Sequence, residues 1–248
     1  MKENIREYAE LKHLKYDMDK LKSLFSLKNI NNTSIENFFN EIAFELFEHY
    51  SIKFSNITYK FLEIECYYWS DKHKDNRTDG NTPFVYKRIN KIPCAFLSHG
   101  SGMDICFKST ENQYGGILIR ALKRIVDDKE DEATVIPGPW DCRDTLINYS
   151  GGMIDNSSIE EIKNAYPILT YNEKIDTDVE IKRVPRYGVP IGSAYERNLY
   201  CYYNHKFKSN NNKWGNHEID YPRYFPLTQT EEKNKYPNVP WNRSNNNK

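Results

Sequence analysis

Short connections between β-like runs are the sequence feature that most restricts the fold of this chain. Such runs recur at 94–98, 104–108 and 116–122, and only a few residues separate one run from the next. Parallel strands need crossover connections of a dozen or more residues, usually containing a helix. The spacing therefore excludes repeated βαβ units here and predicts a meandering, mostly antiparallel sheet.

A further run, Thr58–Tyr68, has the two-residue period of a strand. Simple alternation places Leu62, Ile64 and Cys66 on one face. The other face then carries the following side chains: Tyr59, Phe61, Glu63, Glu65 and Tyr67. We expect the first face to be core and the second to carry acids among aromatic rings.

Helical periodicity precedes these strands in two segments. Residues 3–28 carry apolar side chains at steps of three and four residues, which predicts one helix or two short ones. Thr33 and Glu36 form a capping box ahead of a second apolar stripe. The stripe predicts a helix over about residues 34–49.

The later elements complete a single mixed α+β domain. Pro139 precedes a predicted helix at 140–148, and β-like runs follow at 178–184 and 198–203. We expect a curved, mostly antiparallel sheet flanked by helices. The predicted organisation is as follows: N-terminal helices at 1–50, an α+β core at 51–208, and an Asn/Lys/Pro-rich extension at 209–248.

Composition excludes several classes of protein. Lys and Arg total 35 and Asp and Glu total 35, so a chain-wide basic field for nucleic acid is absent. No apolar run approaches the roughly 18 residues of a membrane span, and the N-terminus is charged, so we expect a cytoplasmic protein. The 5 cysteines form no CxxC pair. We expect free thiols, with no thiolate metal site and no cofactor.

The segment from Phe61 to His73 combines groups that carry chemistry. A strand face with Glu65 and Tyr67, followed by His73 in a loop, can line a pocket with one carboxylate and flat aromatic walls. A carboxylate among aromatic rings loses solvation, which suits it to act as a general base. Such a pocket fits a flat heterocycle joined to a sugar. The alternative is an ordinary sheet face whose acids point into water.

The order of several short motifs resembles the alkyladenine (3-methyladenine) DNA glycosylase family. The motifs are, in order, Glu63-x-Glu65-x-Tyr67, Asp71-x-His73, Gly102-Met103 before a strand, Gly116-Ile-Leu-Ile-Arg-Ala-Leu122, Gly138-Pro139 before a helix with Leu146, and Arg183-Val184 with an aromatic strand ending at Tyr203. Their collinearity covers about residues 40–205. The resemblance implies the fold of that family and a metal-independent N-glycosidase of the kind used in base excision during DNA repair.

The resemblance also implies roles for individual residues. Glu65 would be the general base that activates water for attack at the sugar C1′, and Arg120 would hold that water. Tyr67 and His73 would be the aromatic walls around a base turned out of its stack. The remaining substrate-binding positions implied are Tyr68, Trp69, His99, Met103 and Lys108.

The chain departs from the family where a base would be flipped from a duplex. The family's stacking tyrosine falls on Ser98 or His99, and its wedge falls on Ser101 or a neighbour. A serine cannot fill the space left by a flipped nucleotide. These departures favour a purine-type nucleobase, a nucleotide or a single-stranded nucleic acid as the ligand.

Two other functions stay open on the sequence alone. The first is a non-catalytic module that senses a nucleotide or a partner protein on the same fold. The second is a metal-dependent hydrolase or nuclease that uses Asp71, His73 and Asp75, with His99 or Asp104 as a further ligand.

A basic and aromatic segment at 182–208 also has two interpretations. Cations among tyrosines can bind single-stranded nucleic acid by stacking and phosphate contact. Acidic residues lie immediately before this segment, so a structural cluster of ion pairs fits the same pattern.

Overall fold

The computed structural model describes residues 19–26, 35–54, 57–75, 91, 93–99, 102–125, 135–147, 167–172, 179–184, 186, 198 and 200–204. A helical segment at 19–24 precedes helices α1 (Ile35–His49) and α2 (Pro139–Ile147). The strands are β1 (Tyr50–Phe54), β2 (Ile57–Ser70), β3 (His73–Lys74), β4 (Phe96–His99), β5 (Gly102–Cys106), β6 (Gln113–Ile125), β7 (Val135–Pro137), β8 (Ile168–Tyr171), β9 (Ile181–Val184) and β10 (Cys201–Asn204).

Two long antiparallel strands, β2 and β6, form the centre of a 10-stranded sheet. The outer edge of β2 pairs first with β1 and then with β10, while the outer edge of β6 pairs with β5 and then with β7. Strands β4, β8 and β9 extend the sheet through β5, β1 and β10. Every pairing between these strands is antiparallel. The predicted mixed α+β class with a mostly antiparallel sheet is therefore confirmed.

Helix α1 covers one face of this sheet. Its apolar side chains recur every three or four residues and are buried: Phe38, Phe39, Ile42, Ala43, Leu46 and Phe47. They pack in one hydrophobic core with side chains from β1, β2, β5 and β6. The helix predicted over about 34–49 is confirmed, although its proposed cap Thr33 lies outside the described residues. We call the sheet face that α1 covers the α1 face.

Paired irregularities interrupt the β2–β6 ladder near its middle. The register skips Leu62 on β2 and then skips Arg120 on β6. One extra residue in a strand exchanges the faces on which the following side chains lie. The double shift therefore keeps the two strands paired while it changes which residues of β2 face the core.

Simple alternation along β2 is wrong for this reason. The side chains of β2 in the main hydrophobic core are Tyr59, Phe61, Ile64, Cys66 and Tyr68. Leu62 packs separately against Ala121. Glu63, Glu65 and Tyr67, which alternate with the core residues, share the opposite face, which we call the polar face.

The other helices and strands agree only in part with the elements predicted from the sequence. The helix predicted at 140–148 starts at Pro139 and ends at Ile147. The short strands β1, β3, β7 and β8 were not predicted. Residues 1–18 and the extension at 209–248 lie outside the described residues. No helix within the described ranges has the length and apolarity that a membrane crossing requires.

Candidate functional site

A row of paired residues crosses the polar face from β5 to β10. Asp104 pairs with Leu118, Leu118 with Glu65, and Glu65 with Cys201. Residues directly opposite each other in antiparallel strands have side chains on the same face. All four residues are buried. The polar face is thus an interior surface that carries charge.

Close approach of the strands depends on two glycines at the start of β6. A Cβ atom at Gly115 would overlap the carbonyl oxygen of Tyr67, and one at Gly116 would lie 2.9 Å from the carbonyl oxygen of Ile105. Any other residue at Gly115 would push β6 away from β2. Gly115 therefore lets β6 lie against Tyr67 of β2, and Gly116 lets β6 lie against Ile105 of β5.

Arg120 joins the two carboxylates of β2. Its Nε donates to Oε1 of Glu63 at 2.8 Å, and its Nη1 donates to Oε1 of Glu65 at 3.0 Å. Burial by itself would lower the pKa of Arg120, but the negative charges of Glu65 and Glu63 raise it above its ordinary value. The guanidinium stays charged. Glu65 and Arg120, which the resemblance assigns to one reaction, thus lie on neighbouring strands with their side chains in contact on the same face.

Tyr67 holds the other oxygen of Glu65. Its hydroxyl donates to Oε2 of Glu65 at 2.6 Å. Burial, and then the charge of Glu65, raise the pKa of Tyr67 well above its ordinary value. The phenol therefore remains protonated and stays a donor. Both oxygens of Glu65 are engaged, and the residue is 0% exposed.

Cys201 adds a weak donor to the same cluster. Its Sγ lies 3.4 Å from Oε1 of Glu63. Burial, and then the charge of Glu63, raise the pKa of the Cys201 thiol. The sulfur is therefore a protonated donor to Glu63, and it is a poor nucleophile.

A second buried ion pair lies beside Tyr67. Arg186 donates from Nη1 to Oδ2 of Asp75 at 2.6 Å and from Nη2 to Oδ1 at 3.0 Å. Nη1 also donates to the carbonyl oxygen of Cys66 at 3.1 Å. The guanidinium lies 4.5 Å from the ring centroid of Tyr67 and 5.3 Å from that of Tyr200. Arg186 therefore ties the chain after β9 to β2 and its aromatic rings.

His73 contacts different aromatic residues from those expected. Its Nδ1 lies 3.0 Å from the carbonyl oxygen of Tyr68, and its Nε2 lies 3.2 Å from the hydroxyl of Tyr200. A carbonyl oxygen accepts, so the proton is on Nδ1. Burial lowers the pKa of His73. The structure does not form the predicted wall of Tyr67 and His73, because β3 folds back on β2 and Arg186 lies over the Tyr67 ring.

The other predicted pocket residues are dispersed. Tyr68 and Met103 lie in the main hydrophobic core. Tyr68 follows Tyr67 and Met103 precedes Asp104, and adjacent strand residues face opposite sides of the sheet. Trp69 stacks on Tyr114 with ring centroids 5.0 Å apart. Lys108 is exposed, and its backbone N–H donates to the carbonyl oxygen of Phe25. None of these four side chains is in the cluster around Glu65. Tyr68 and Met103 are on the opposite face, and Trp69 and Lys108 are at other positions along the sheet.

His99 does lie on the polar face. It pairs with Gly102, two residues before Asp104 on the same strand. Its Nε2 is 3.1 Å from Oδ1 of Asp104, and the two side chains are 5% and 0% exposed. Asp104 belongs to the row that includes Glu65. The structure thus brings Glu65, Arg120, Tyr67 and His99 to one face.

The cations predicted at the start of the basic segment are in ion pairs. Lys182 lies 3.3 Å from Glu180, and Arg183 pairs with Glu36 of α1. Arg186 is buried against Asp75. For the described members of this segment, the structural ion-pair interpretation is correct. Tyr195, Lys206 and Lys208 lie outside the described residues.

The proposed metal ligands are not gathered into one site. Asp71 is exposed in the β2–β3 turn, whereas Asp75 is buried in its pair with Arg186. Among the residues that the structure describes, no group of three or more His, Cys, Asp and Glu side chains could hold a metal ion. A guanidinium occupies the position beside Asp75 that a cation would need.

Sequence reasoning missed Glu63 as a partner of Arg120 and missed Asp75 with Arg186 as a buried pair. Glu63 was visible in the same motif as Glu65. Asp75 and Arg186 are 111 residues apart, and nothing local in the chain connects them. Their individual charges were visible, but their pairing depends on the position of β9 and β10 beside β2.

Chemically, the polar face holds a carboxylate in one orientation. Donors on both oxygens fix the plane of the Glu65 carboxylate, and its burial keeps bulk water away. Comparisons with known proteins add no relative: the chain matches no protein-family model, and no curated protein is significantly similar to it. The function is therefore inferred from the geometry of this face.

Proposed function

We propose that this protein is an N-glycosidase-like hydrolase that acts on a purine-type nucleobase in a nucleotide or a single-stranded nucleic acid. Glu65 is its general base. Arg120 orients the Glu65 carboxylate and the attacking water. One observation carries the proposal: Arg120 and Tyr67 hold the Glu65 carboxylate from its two sides at 3.0 Å and 2.6 Å on a buried face.

The proposed step is hydrolysis of the bond between the base and the sugar C1′. Glu65 removes a proton from water, the water oxygen bonds to C1′, and the base leaves with the electron pair of the C–N bond. The transition state resembles an oxocarbenium ion, so nearby negative charge stabilises it. A carboxylate accepts through about four lone-pair sites, so Glu65 can bind water while it keeps Arg120 and Tyr67.

The second candidate is a module that binds a nucleotide or a partner protein without cleaving it. The observation that favours this function is the burial of Glu65, which is 0% exposed and bonded at both carboxylate oxygens. In this alternative the carboxylates and guanidinium fix the shape of the sheet, and the ligand contacts other groups.

The experiment compares Glu65→Gln with Glu63→Gln as a matched control. Both variants replace a buried carboxylate bonded to Arg120, but only Glu65 is assigned as the base. Free base released from labelled nucleotides and single-stranded oligonucleotides is measured, with the melting temperature. We expect Glu65→Gln to lose about a hundred- to ten-thousand-fold in rate, the usual contribution of a general base, and Glu63→Gln to lose far less.

Two results would contradict the hydrolase. Equal losses in both variants would indicate that the cluster has a structural role only. A wild type that releases no base from any purine substrate, yet is stabilised by a nucleotide, would favour the binding module, since a ligand that binds only the native state raises the melting temperature.

A further inference from the structure

Arg186 contacts strand β2 at the two residues that follow Glu65. Its Nη1 donates to the backbone carbonyl oxygen of Cys66 at 3.1 Å. Its guanidinium carbon lies 4.5 Å from the ring centroid of Tyr67. A guanidinium over an aromatic ring is attracted to it, and the attraction is stronger when both groups are removed from water. Arg186 therefore binds the peptide group between Glu65 and Tyr67 and also the ring whose hydroxyl binds Glu65.

Asp75 fixes the position of this guanidinium. It accepts from Nη1 of Arg186 at 2.6 Å and from Nη2 at 3.0 Å, and both side chains are 0% exposed. Burial by itself would lower the pKa of Arg186, but the charge of Asp75 raises it above its ordinary value. A bidentate pair restricts orientation as well as distance. The guanidinium is thus a permanent positive charge in a fixed position.

The chain before β10 holds the same part of β2. The backbone N–H of Cys66 donates to the carbonyl oxygen of Tyr200 at 2.8 Å. The ring centroid of Tyr200 lies 5.3 Å from the guanidinium carbon of Arg186. Both backbone polar groups of Cys66 therefore make hydrogen bonds to this assembly, which anchors β2 between Glu65 and Tyr67.

The charge of Arg186 also acts on the hydroxyl of Tyr67. That hydroxyl donates to Oε2 of Glu65 at 2.6 Å. Burial, and then the charge of Glu65, raise the pKa of Tyr67, whereas the charge of Arg186 opposes this rise. A positive charge near a phenol weakens its hold on the proton and so makes the O–H a stronger donor. Arg186 therefore strengthens the hydrogen bond from Tyr67 to Glu65.

We propose that Arg186, held by Asp75, is a positioning residue that fixes the ring of Tyr67 so that its hydroxyl stays on Oε2 of Glu65. This inference rests on the proposed N-glycosidase function, in which Glu65 is the general base. Arg120 holds Oε1 and Tyr67 holds Oε2, so the carboxylate keeps its plane only while both donors stay in place. Arg186 acts on the reaction through Tyr67.

The first experiment measures the Tyr67 ring without any substrate. Protein labelled with 13C-tyrosine is compared by NMR with the double variant Arg186→Met/Asp75→Leu, which removes the pair without leaving a buried charge unpaired. The signals of Tyr67 are those missing from Tyr67→Phe. We expect its ring to flip about tenfold faster or more in the double variant, because the attraction to the cation is lost. The ring of Tyr171, which stacks on His49, should be unchanged.

The second experiment measures free base released from labelled nucleotides and single-stranded oligonucleotides. We expect kcat of the double variant to fall by about a hundredfold, the scale of a misplaced catalytic group, with KM changed by less than about threefold. Tyr67→Phe keeps the ring and removes only the hydroxyl, so it should lower kcat to a similar extent. Combining Tyr67→Phe with the double variant should cause little further loss, because both changes break the same hydrogen bond.

Arg186→Lys is the second variant, and it tests the same point if the double variant does not fold. It keeps a positive charge beside Asp75 but loses the planar fork that binds Asp75 and the Cys66 carbonyl together. Its Tyr67 ring should flip faster than in the wild type, and its kcat should fall by less than that of the double variant.

Three results would contradict parts of this assignment. A Tyr67 ring that flips at the wild-type rate in both Arg186 variants would overturn it, whatever the activity. Losses of kcat that simply add in the combined variant would show that Arg186 acts on the fold and not through Tyr67. A wild type that releases no base would contradict the proposed function, and faster flipping in the variants would still show that Arg186 fixes Tyr67.

Discussion

The two faces of strand β2 are both buried, but they are stabilised in different ways. On the α1 face, apolar side chains from several elements share one core. On the polar face, Glu63, Glu65 and Arg120 depend on specific partners at 2.8–3.0 Å. Apolar contacts are non-directional and tolerate some rearrangement, whereas a buried charge without its partner is strongly unfavourable. The comparison shows which substitutions this sheet should tolerate.

Aromatic packing illustrates the tolerance of the α1 face. Phe107 lies within 5.6 Å of the Phe25 ring, 5.3 Å of the Phe38 ring and 6.3 Å of the Phe39 ring, measured between centroids. Several rings share each contact. Removal of one ring therefore leaves the others in place, at the cost of a cavity. On the polar face, by contrast, one guanidinium, that of Arg120, is shared by both carboxylates.

The largest loss in the free energy of unfolding should come from Arg120→Met on the polar face. Ile119→Ala, at the adjacent residue on the α1 face, is its comparison. Arg120→Met leaves two buried carboxylates without their shared guanidinium and should lower the free energy of unfolding by about 4 kcal/mol. Ile119→Ala, on the α1 face, should cost about 3 kcal/mol through a cavity. Urea unfolding measures both values.

The stability losses of Arg120→Met and Ile119→Ala should depend differently on pH. In Arg120→Met the buried carboxylates must take up protons on folding, so the native state binds more protons than the unfolded state. Its stability deficit should therefore grow as the pH rises from 5 to 8. The deficit of Ile119→Ala should stay constant. A deficit of Arg120→Met that does not change with pH would contradict the charged interpretation of the polar face.

A smaller effect is expected at the second ion pair. Arg186→Met leaves Asp75 buried without its counterion and should cost about 3 kcal/mol. The double variant Arg186→Met/Asp75→Leu has no unpaired buried charge. It should therefore be more stable than Arg186→Met alone. A double-mutant cycle measures the coupling. Simple addition of the two single losses would show that Arg186 and Asp75 contribute independently.

The smallest effect is expected at His73, which lies on β3 beside the end of β2. Burial lowers the pKa of His73 in the native state, so the unfolded chain takes up the proton first as the pH falls. Its contribution to stability is complete above the unfolded pKa, about 6.5, and is lost below it. His73→Gln should therefore flatten the decline in stability between pH 7 and pH 5. An unchanged slope would show that His73 does not titrate differently on folding.

Local elements could be predicted where a periodic pattern was long enough. Helix α1 was recognised because its apolar residues recur at steps of three and four over 15 positions, and β6 because a β-like run at 116–122 follows a short connection. Strands β1 and β8 have only 5 and 4 residues. Such short runs carry little periodicity, and these strands are stabilised by pairing with each other and with β2.

The candidate site was predictable in part. Glu65 and Arg120 were identified from motif order, and their contact follows from the pairing of the two longest strands. Tyr68 was assigned to the same pocket, but it lies in the core because adjacent strand residues face opposite sides. The role of Glu63 depends on the shift that skips Arg120 in the ladder.

By itself the sequence determined the class of the fold, the position of α1 and the order of the charged residues along β2 and β6. These properties depend on periodicity and connection length, which are local. The tertiary structure alone decided that Tyr59 and Phe61 join the core, that Asp75 binds Arg186, and that His99 lies on the same face of the sheet as Glu65. Register shifts and contacts between distant segments set these arrangements, because their free energy depends on neighbours that no local pattern specifies.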